Sequence, residues 1–457
     1  MAYSSVTKPE DHFNTVLYTG NGGSQSITGV GFQPDWLAIK RRNAVSGTQN
    51  MDSVRGASKK IAWNESNADE TPGNILSSFD TDGFSVGSGA AANNSSDTFV
   101  AWNWLAGGTA PAITYVVKVV SDSGNKYRFD DFGTSAVTLE LQEGGTYTFD
   151  QSDSSNSGHP LRFYTASDKT GGEYTTGVTT TGTPGSSGAQ TVITVAASAP
   201  TLYYQCSNHA GMGGQANTNS TFGSSNFSGS IQSTASASST QGFSIVSYTG
   251  TGSATTVGHG LGVAPKLIIV KRRDSSANWF VGSDSLGWTK YLYLDLTEAA
   301  ETNAGAWNNT APTSSVFSIG TFGNVNASSG TYIAYCFSEK KGYSKFSSYV
   351  GNGSSDGTFV YTGFRPAWIL LKQSSTSGAC WRIHDNKRGI SGNPEDETLY
   401  ASANNAESTG RDVDFLSNGF KLRTNSGDGN SSGSTYIYAA FAESPFVNSN
   451  GIPTNAR

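Results

Sequence analysis

The chain has 457 residues, a formal net charge of −6 and a pI near 5.4, with only 14% charged residues but 55 Gly, 20 Tyr, 23 Phe and 9 Trp. Such a chain solvates itself with hydroxyls and amides, which excludes a helical protein built on Glu, Lys, Ala and Leu and points to an all-β one. The acidic balance leaves no electrostatic footprint for nucleic acid or an anionic membrane, and three cysteines cannot make a disulfide framework.

Residues 1–12 read as a polar N-terminal arm without the basic and apolar regions of a signal peptide, and no run approaches a membrane span. A first β-sandwich repeat is expected over 13–108. It opens on Tyr18-Thr19-Gly20-Asn21-Gly22 and passes Pro34 into an apolar run ending at Lys40. It then passes Gly83-Phe84-Ser85-Val86 and closes on an aromatic strand from Thr98 to Trp104. The four landmarks return at Tyr248, Pro265 to Lys271, Val316 to Ile319 and Thr331 to Phe337 in a second repeat over 242–341. They return again at Tyr349, Pro366 to Lys372, Gly419 to Leu422 and Thr435 to Phe441 in a third over 345–443, followed by a tail over 444–457.

Between the first two repeats lies a foreign domain, 113–222. Seven or eight short strands separated by turns predict an antiparallel sandwich there, with Val137, Leu139 and Leu141 alternating on one face. Residues 223–241 are almost wholly Ser, Thr, Gly, Asn, Ala and Gln and read as a flexible or extended linker. Tandem sandwiches on short linkers are expected to stack as a stiff rod.

Four features carry chemistry. In the closing strand of the second repeat, Tyr332, Ala334 and Cys336 share one side and Ile333, Tyr335 and Phe337 the other. A strand apolar on both faces must pack against a neighbouring domain or another subunit; burial in an assembly is favoured. The clusters Lys40-Arg41-Arg42 and Lys271-Arg272-Arg273 read as solvated strand ends, with a phosphate or acidic-glycan contact as the alternative. Each repeat also has an acidic turn, Asp52-Ser53-Val54-Arg55-Gly56, Asp284-Ser285-Leu286-Gly287 and Asp385-Asn386-Lys387-Arg388-Gly389. An Asx turn with a local ion pair explains it. The alternative is a glycan site using Asp52, Arg55, Asp385 and Arg388 with a nearby Trp381, disabled in the second repeat, which lacks the Arg.

The sharpest signal is in the inserted domain. His159 lies upstream of Cys206-Ser207-Asn208-His209-Ala210-Gly211-Met212, directly after an expected strand. A thiolate, two imidazoles and a thioether are the set a blue-copper centre needs. This stretch resembles the cupredoxins, a resemblance that implies a Greek-key sandwich with His159, Cys206 and His209 as equatorial copper ligands. It departs from them where their axial Met stands, which is Gly214 here; Met212 is the nearest thioether. His12, His259 and His384 have no partner at ligand spacing and read as ordinary loop histidines. No nucleophile triad, phosphate loop or paired carboxylates appear, so no enzyme is expected.

The phrases Gly31-Phe32-Gln33-Pro34-Asp35-Trp36, Asp82-Gly83-Phe84-Ser85-Val86 and Val257-Gly258-His259-Gly260-Leu261-Gly262 resemble a domain recurrent in virion proteins of marine tailed bacteriophages, including cyanophages. The resemblance implies a non-enzymatic virion component, a tail fibre or head appendage assembled in the bacterial cytoplasm, and a homotrimer, since threefold symmetry is common among phage fibres. Its partners would be other virion proteins and, through host attachment, a cell-surface glycan. It supplies no catalytic residues.

Overall fold

The computed structural model describes residues 6–389 and 392–445. Each repeat is a small β-sandwich, and the first and third share one strand plan. In the first, a five-stranded sheet runs in the order Phe13–Thr19, Thr98–Trp104, Trp36–Arg41, Gln49–Asp52 and Ile61–Ala62. A three-stranded sheet, Gln25–Thr28, Gly83–Val86 and Leu76–Asp80, covers it. The third repeats this with Ser344–Val350, Thr435–Pro445, Phe364–Gln373, Arg382–Asp385 and Leu399–Tyr400 under Phe359–Tyr361, Gly419–Leu422 and Val413–Leu416. In every repeat the opening strand pairs antiparallel with the closing strand, which also pairs with the central one: Tyr18 faces Phe99, Tyr248 faces Tyr332 and Tyr349 faces Tyr436. Each of these aromatic pairs is stacked, with ring centroids 5.1, 5.0 and 5.0 Å apart.

The second face of the closing strands is covered inside the chain. Val100, Trp102 and Trp104 of the first repeat, Ile333, Tyr335 and Phe337 of the second, and Ile437, Ala439 and Phe441 of the third all belong to one hydrophobic cluster. The opposite faces fill three separate sandwich interiors. Seven of the nine tryptophans lie in that shared cluster, so the tryptophan of the sequence is mostly spent there. The expectation of burial against other subunits is thus corrected: the three repeats bury these faces against one another. The stiff rod is corrected with it, because the repeats gather round a common core instead of stacking end to end. The apolar faces that were offered for subunit contacts are satisfied within the chain.

Polar contacts close the arrangement cyclically. Lys40 donates to the carbonyl of Ala403 at 2.7 Å, Lys271 to that of Ser66 at 3.0 Å and Lys372 to that of Thr297 at 3.2 Å. The first repeat therefore reaches the third, the second the first and the third the second. These lysines are fully buried, not solvated strand ends. Burial lowers their pKa to about 7 for Lys40 and about 8 for Lys271 and Lys372. Arg42 pairs with Glu407 at 2.6 Å and Arg273 with Asp69 at 2.8 Å along the same seams.

The linker is structured. Ser224–Asn226 and Ser233–Ser238 are strands that extend the second repeat's sheet, the latter pairing antiparallel with Phe243–Thr249. Ser- and Thr-rich composition hid them because they pair through backbone groups and carry no apolar alternation. Part of the N-terminal arm is anchored too: Val6 is buried in the shared core and Pro9–Asp11 form a turn of 3₁₀ helix. Residues 1–5 of that arm and 446–457 of the tail lie outside the described residues. Among the described residues no helix is long and apolar enough to cross a membrane.

The inserted domain is a two-sheet sandwich with its own core, including Tyr115, Phe129, Phe149, Phe163, Tyr204 and Cys206. Two of its pairings are parallel, Thr146–Asp150 with residues 112–116 and Leu139–Gln142 with Gln215–Asn219, where wholly antiparallel sheets were expected. Parallel neighbours require the chain to cross between layers, which the alternating strands do here. Phe227 of the linker packs into this core, 5.9 Å from the ring of Phe129.

Candidate metal centre

Strand Leu202–Cys206 pairs antiparallel with Leu161–Tyr164, and the register sets Cys206 opposite Leu161, two residues after His159. That pairing carries the upstream histidine to the thiol. Cys206 Sγ lies 3.8 Å from His159 Nδ1 and 3.5 Å from His209 Nδ1, and the three donor atoms lie within 4.8 Å of one another. A metal bound at about 2.3 Å to sulfur and 2.0 Å to nitrogen at tetrahedral to trigonal angles separates sulfur from nitrogen by about 3.5–3.7 Å. The two sulfur–nitrogen distances lie close to that range.

The surroundings hold each donor in place. The His159 backbone carbonyl accepts from Tyr127 Oη at 2.9 Å and from Gln151 Nε2 at 2.9 Å. Its Nε2 lies 3.5 Å from the side-chain amide of Asn125, so the far ring nitrogen meets a polar group while Nδ1 faces the sulfur. Asn208 Nδ2 donates to the Gly158 carbonyl at 2.9 Å, and Lys169 donates to the Cys206 carbonyl at 3.1 Å. Gly213 must be glycine, since a Cβ there would lie 1.6 Å from the Tyr204 carbonyl oxygen. Partial burial and the neighbouring His209 lower the pKa of His159, which favours the neutral imidazole a metal requires.

Cys206 is fully buried and His209 exposed, so the site is reached from the His209 side. Met212 is buried in the core, and its carbonyl accepts the Tyr127 N–H at 2.8 Å. It shares with His209 the wall of an open cavity that also includes Asn125 and Lys126. One soft and two borderline donors suit copper or zinc. Tyr127, Gln151 and Asn125 carried no signal in the sequence, since each reaches the site only through the sandwich pairing.

The five residues offered for a glycan are closed to one. The Asp52 and Arg55 side chains are fully buried and bonded to each other at 2.5 Å, and Tyr335 of the second repeat donates to the same carboxylate at 2.7 Å. Asp385 and Arg388 are equally buried at 2.6 Å, with Trp102 Nε1 of the first repeat donating to Asp385 at 2.9 Å. Trp381 is buried and its Nε1 donates to the Tyr293 carbonyl at 2.7 Å. These groups join repeats. Asp284 pairs instead with Lys266 at the surface. Ala439 stands where Trp102 and Tyr335 stand in the sister strands, so the seam without an Arg also lacks a donor. Of the other histidines, His259 is buried and His384 lies buried in strand Arg382–Asp385 instead of a loop.

No curated protein and no solved structure matches this chain. A family model described as a domain of unknown function (DUF7483) matches residues 8–136 and 214–445, leaving out the stretch that holds His159, Cys206 and His209. The three repeats, the linker strands and the flanks of the insert place the chain in that family, to which it belongs.

Proposed function

We propose that the chain is a non-enzymatic structural component of a phage particle, a tail-fibre or head appendage, in which the three repeats form one preassembled platform carrying the inserted domain. The observation that supports this most is the common core: apolar faces that separate domains would leave exposed are buried within one chain, giving a stiff block. Seams made of buried lysines, ion pairs and tryptophans hold the repeats in fixed relation and leave those groups no access to substrate. Its partners are other virion proteins. Host attachment through a glycan would have to use a surface other than the acidic turns. The test is particle localisation: antibody-gold labelling and quantitative mass spectrometry of purified virions should find the chain at a fixed copy number per particle. Its absence from virions made by the host that expresses it would refute the reading.

A second reading is favoured by the convergence of Cys206, His159 and His209: a cupredoxin-like copper centre within the same platform. Bound copper would supply one-electron redox chemistry; the chain contributes the two imidazoles, the thiolate and the hydrogen bonds that orient them. Cu(II) added to the intact protein should give an intense thiolate-to-copper charge-transfer band in the visible, absent in Cys206→Ser. A colourless titration in reduced protein would remove this reading and leave the first intact.

A further inference from the structure

We infer that the outer sheet edges of the first and third repeats are docking sites for an extended, uncharged, Ser/Thr-rich arm of a partner protein, which adds to each as a strand.

The chain contains its own template. Three opening strands occupy equivalent positions, yet among the described residues only Phe243–Thr249 is covered, by Ser233–Ser238 in a six-pair antiparallel register from Ser233 opposite Tyr248 to Ser238 opposite Phe243. Just before it, Ile231 bridges Val257 in parallel on the facing sheet, and Ser230 Oγ bonds Thr255 Oγ1 at 2.7 Å and Thr256 Oγ1 at 2.9 Å. Ten residues, 229–238, thus close both edges on one side of the second sandwich. Nothing between 221 and 241 is charged.

In the sister repeats the equivalent strands Phe13–Thr19 and Gln25–Thr28, and Ser344–Val350 and Phe359–Tyr361, end their sheets; among the described residues no further strand joins them. Their exposure matches that difference. Among the described residues seven large hydrophobic side chains are exposed at the surface, and four lie here: Leu17 at 41%, Val350 at 55%, Phe359 at 45% and Tyr361 at 54%. None lies on the covered strands of the second repeat. Edge strands are ordinarily guarded by charge, proline or a bulge. Phe359–Tyr361 reads Phe-Val-Tyr, with the outward Phe359 and Tyr361 flanking a buried Val360 that stands where Val257 meets Ile231. An added strand supplies backbone hydrogen bonds, while side chains at alternate positions set the choice of partner. The arm that fits is the kind already seen at 229–238: small, uncharged and carrying one aliphatic residue to cover the facing sheet.

A labelled synthetic peptide of residues 229–238, titrated into the intact chain with amide exchange read strand by strand, tests this. At about ten times its Kd the peptide should slow exchange in 344–350 and 13–19 by about tenfold. The double variant Phe359→Lys, Tyr361→Lys, exposed at both positions, should raise Kd at the third repeat by about tenfold while leaving protection at 13–19 unchanged. A peptide carrying Ile231→Asp should protect neither. No saturable protection, or equal protection by a scrambled peptide, overturns the inference. So does a concentration-dependent dimer protecting the same strands without peptide, which would assign the edges to a second copy.

Discussion

The repeats and the inserted domain are both two-layer sandwiches, but they handle the outer face of their main sheet in opposite ways. The insert buries one face and wets the other: in Thr146–Asp150, Tyr147 and Phe149 are buried while Thr146, Thr148 and Asp150 are half-buried. The repeats bury both faces, as in Thr331–Phe337, where all six residues after Thr331 are buried. The insert is therefore a unit with a private core, whereas each repeat is completed only by its two sisters. Domains that look alike in strand count can differ in whether they stand alone, and the second face decides it.

That difference can be broken from either side. The largest effect should come from the shared core. Trp36 contacts Trp104 at 4.4 Å and Tyr335 at 4.6 Å between ring centroids, so Trp36→Ala should destabilise the platform by about 3–5 kcal/mol. Calorimetry should show the loss in the transition of the repeats, with the transition of the insert retained. Next is the buried pair at a seam. Arg388→Ala leaves the Asp385 carboxylate buried without its ion partner and should cost about 3–5 kcal/mol, measured by urea denaturation. The surface pair in the second repeat is the internal control: Asp284→Asn should change stability by less than about 1 kcal/mol.

A smaller effect is electrostatic. Lys40 titrates near 7 and Lys271 and Lys372 near 8 in the folded chain, against the ordinary value of 10.5 when unfolded. Between those values the unfolded chain binds more protons, so the contribution of these groups to stability should rise with pH from about 7 to 10.5. Thermal melts across that range should show the slope, and Lys40→Met should flatten it. The smallest effect on stability belongs to the insert: Cys206→Ser should abolish the copper binding proposed for it while leaving the melting of the repeats unchanged, read by metal analysis and calorimetry together.

The all-β class and the threefold repetition were legible because Tyr, Pro and Lys landmarks recur at nearly constant offsets and strands leave an alternating trace. The candidate ligands were legible for a similar reason, since Cys206 and His209 stand three apart after an apolar strand. What covers the second face of a strand is not written in that strand. Ile333, Tyr335 and Phe337 announce a neighbour without naming it, and only the placement of Trp36 and Phe441 beside them does so. Lys40, Lys271 and Lys372 carried a usable clue, the same cation at one position in three copies, but a lysine at a strand end is solvated far more often than it is latched to a carbonyl. The acidic turns misled because an Asp–Arg pair beside tryptophan looks alike whether it faces a sugar or a sister domain.

The linking of three modules into one polypeptide has a genetic corollary. In a ring of identical subunits every substitution appears three times, so no position can be changed on one side alone. Here each module evolves under its own codons. One boundary lacks the guanidinium that the other two carry, and an extra domain follows one module only. Among the described residues the ring consequently presents one thiol–imidazole cluster for every three modules, an odd stoichiometry that symmetric assembly could not produce.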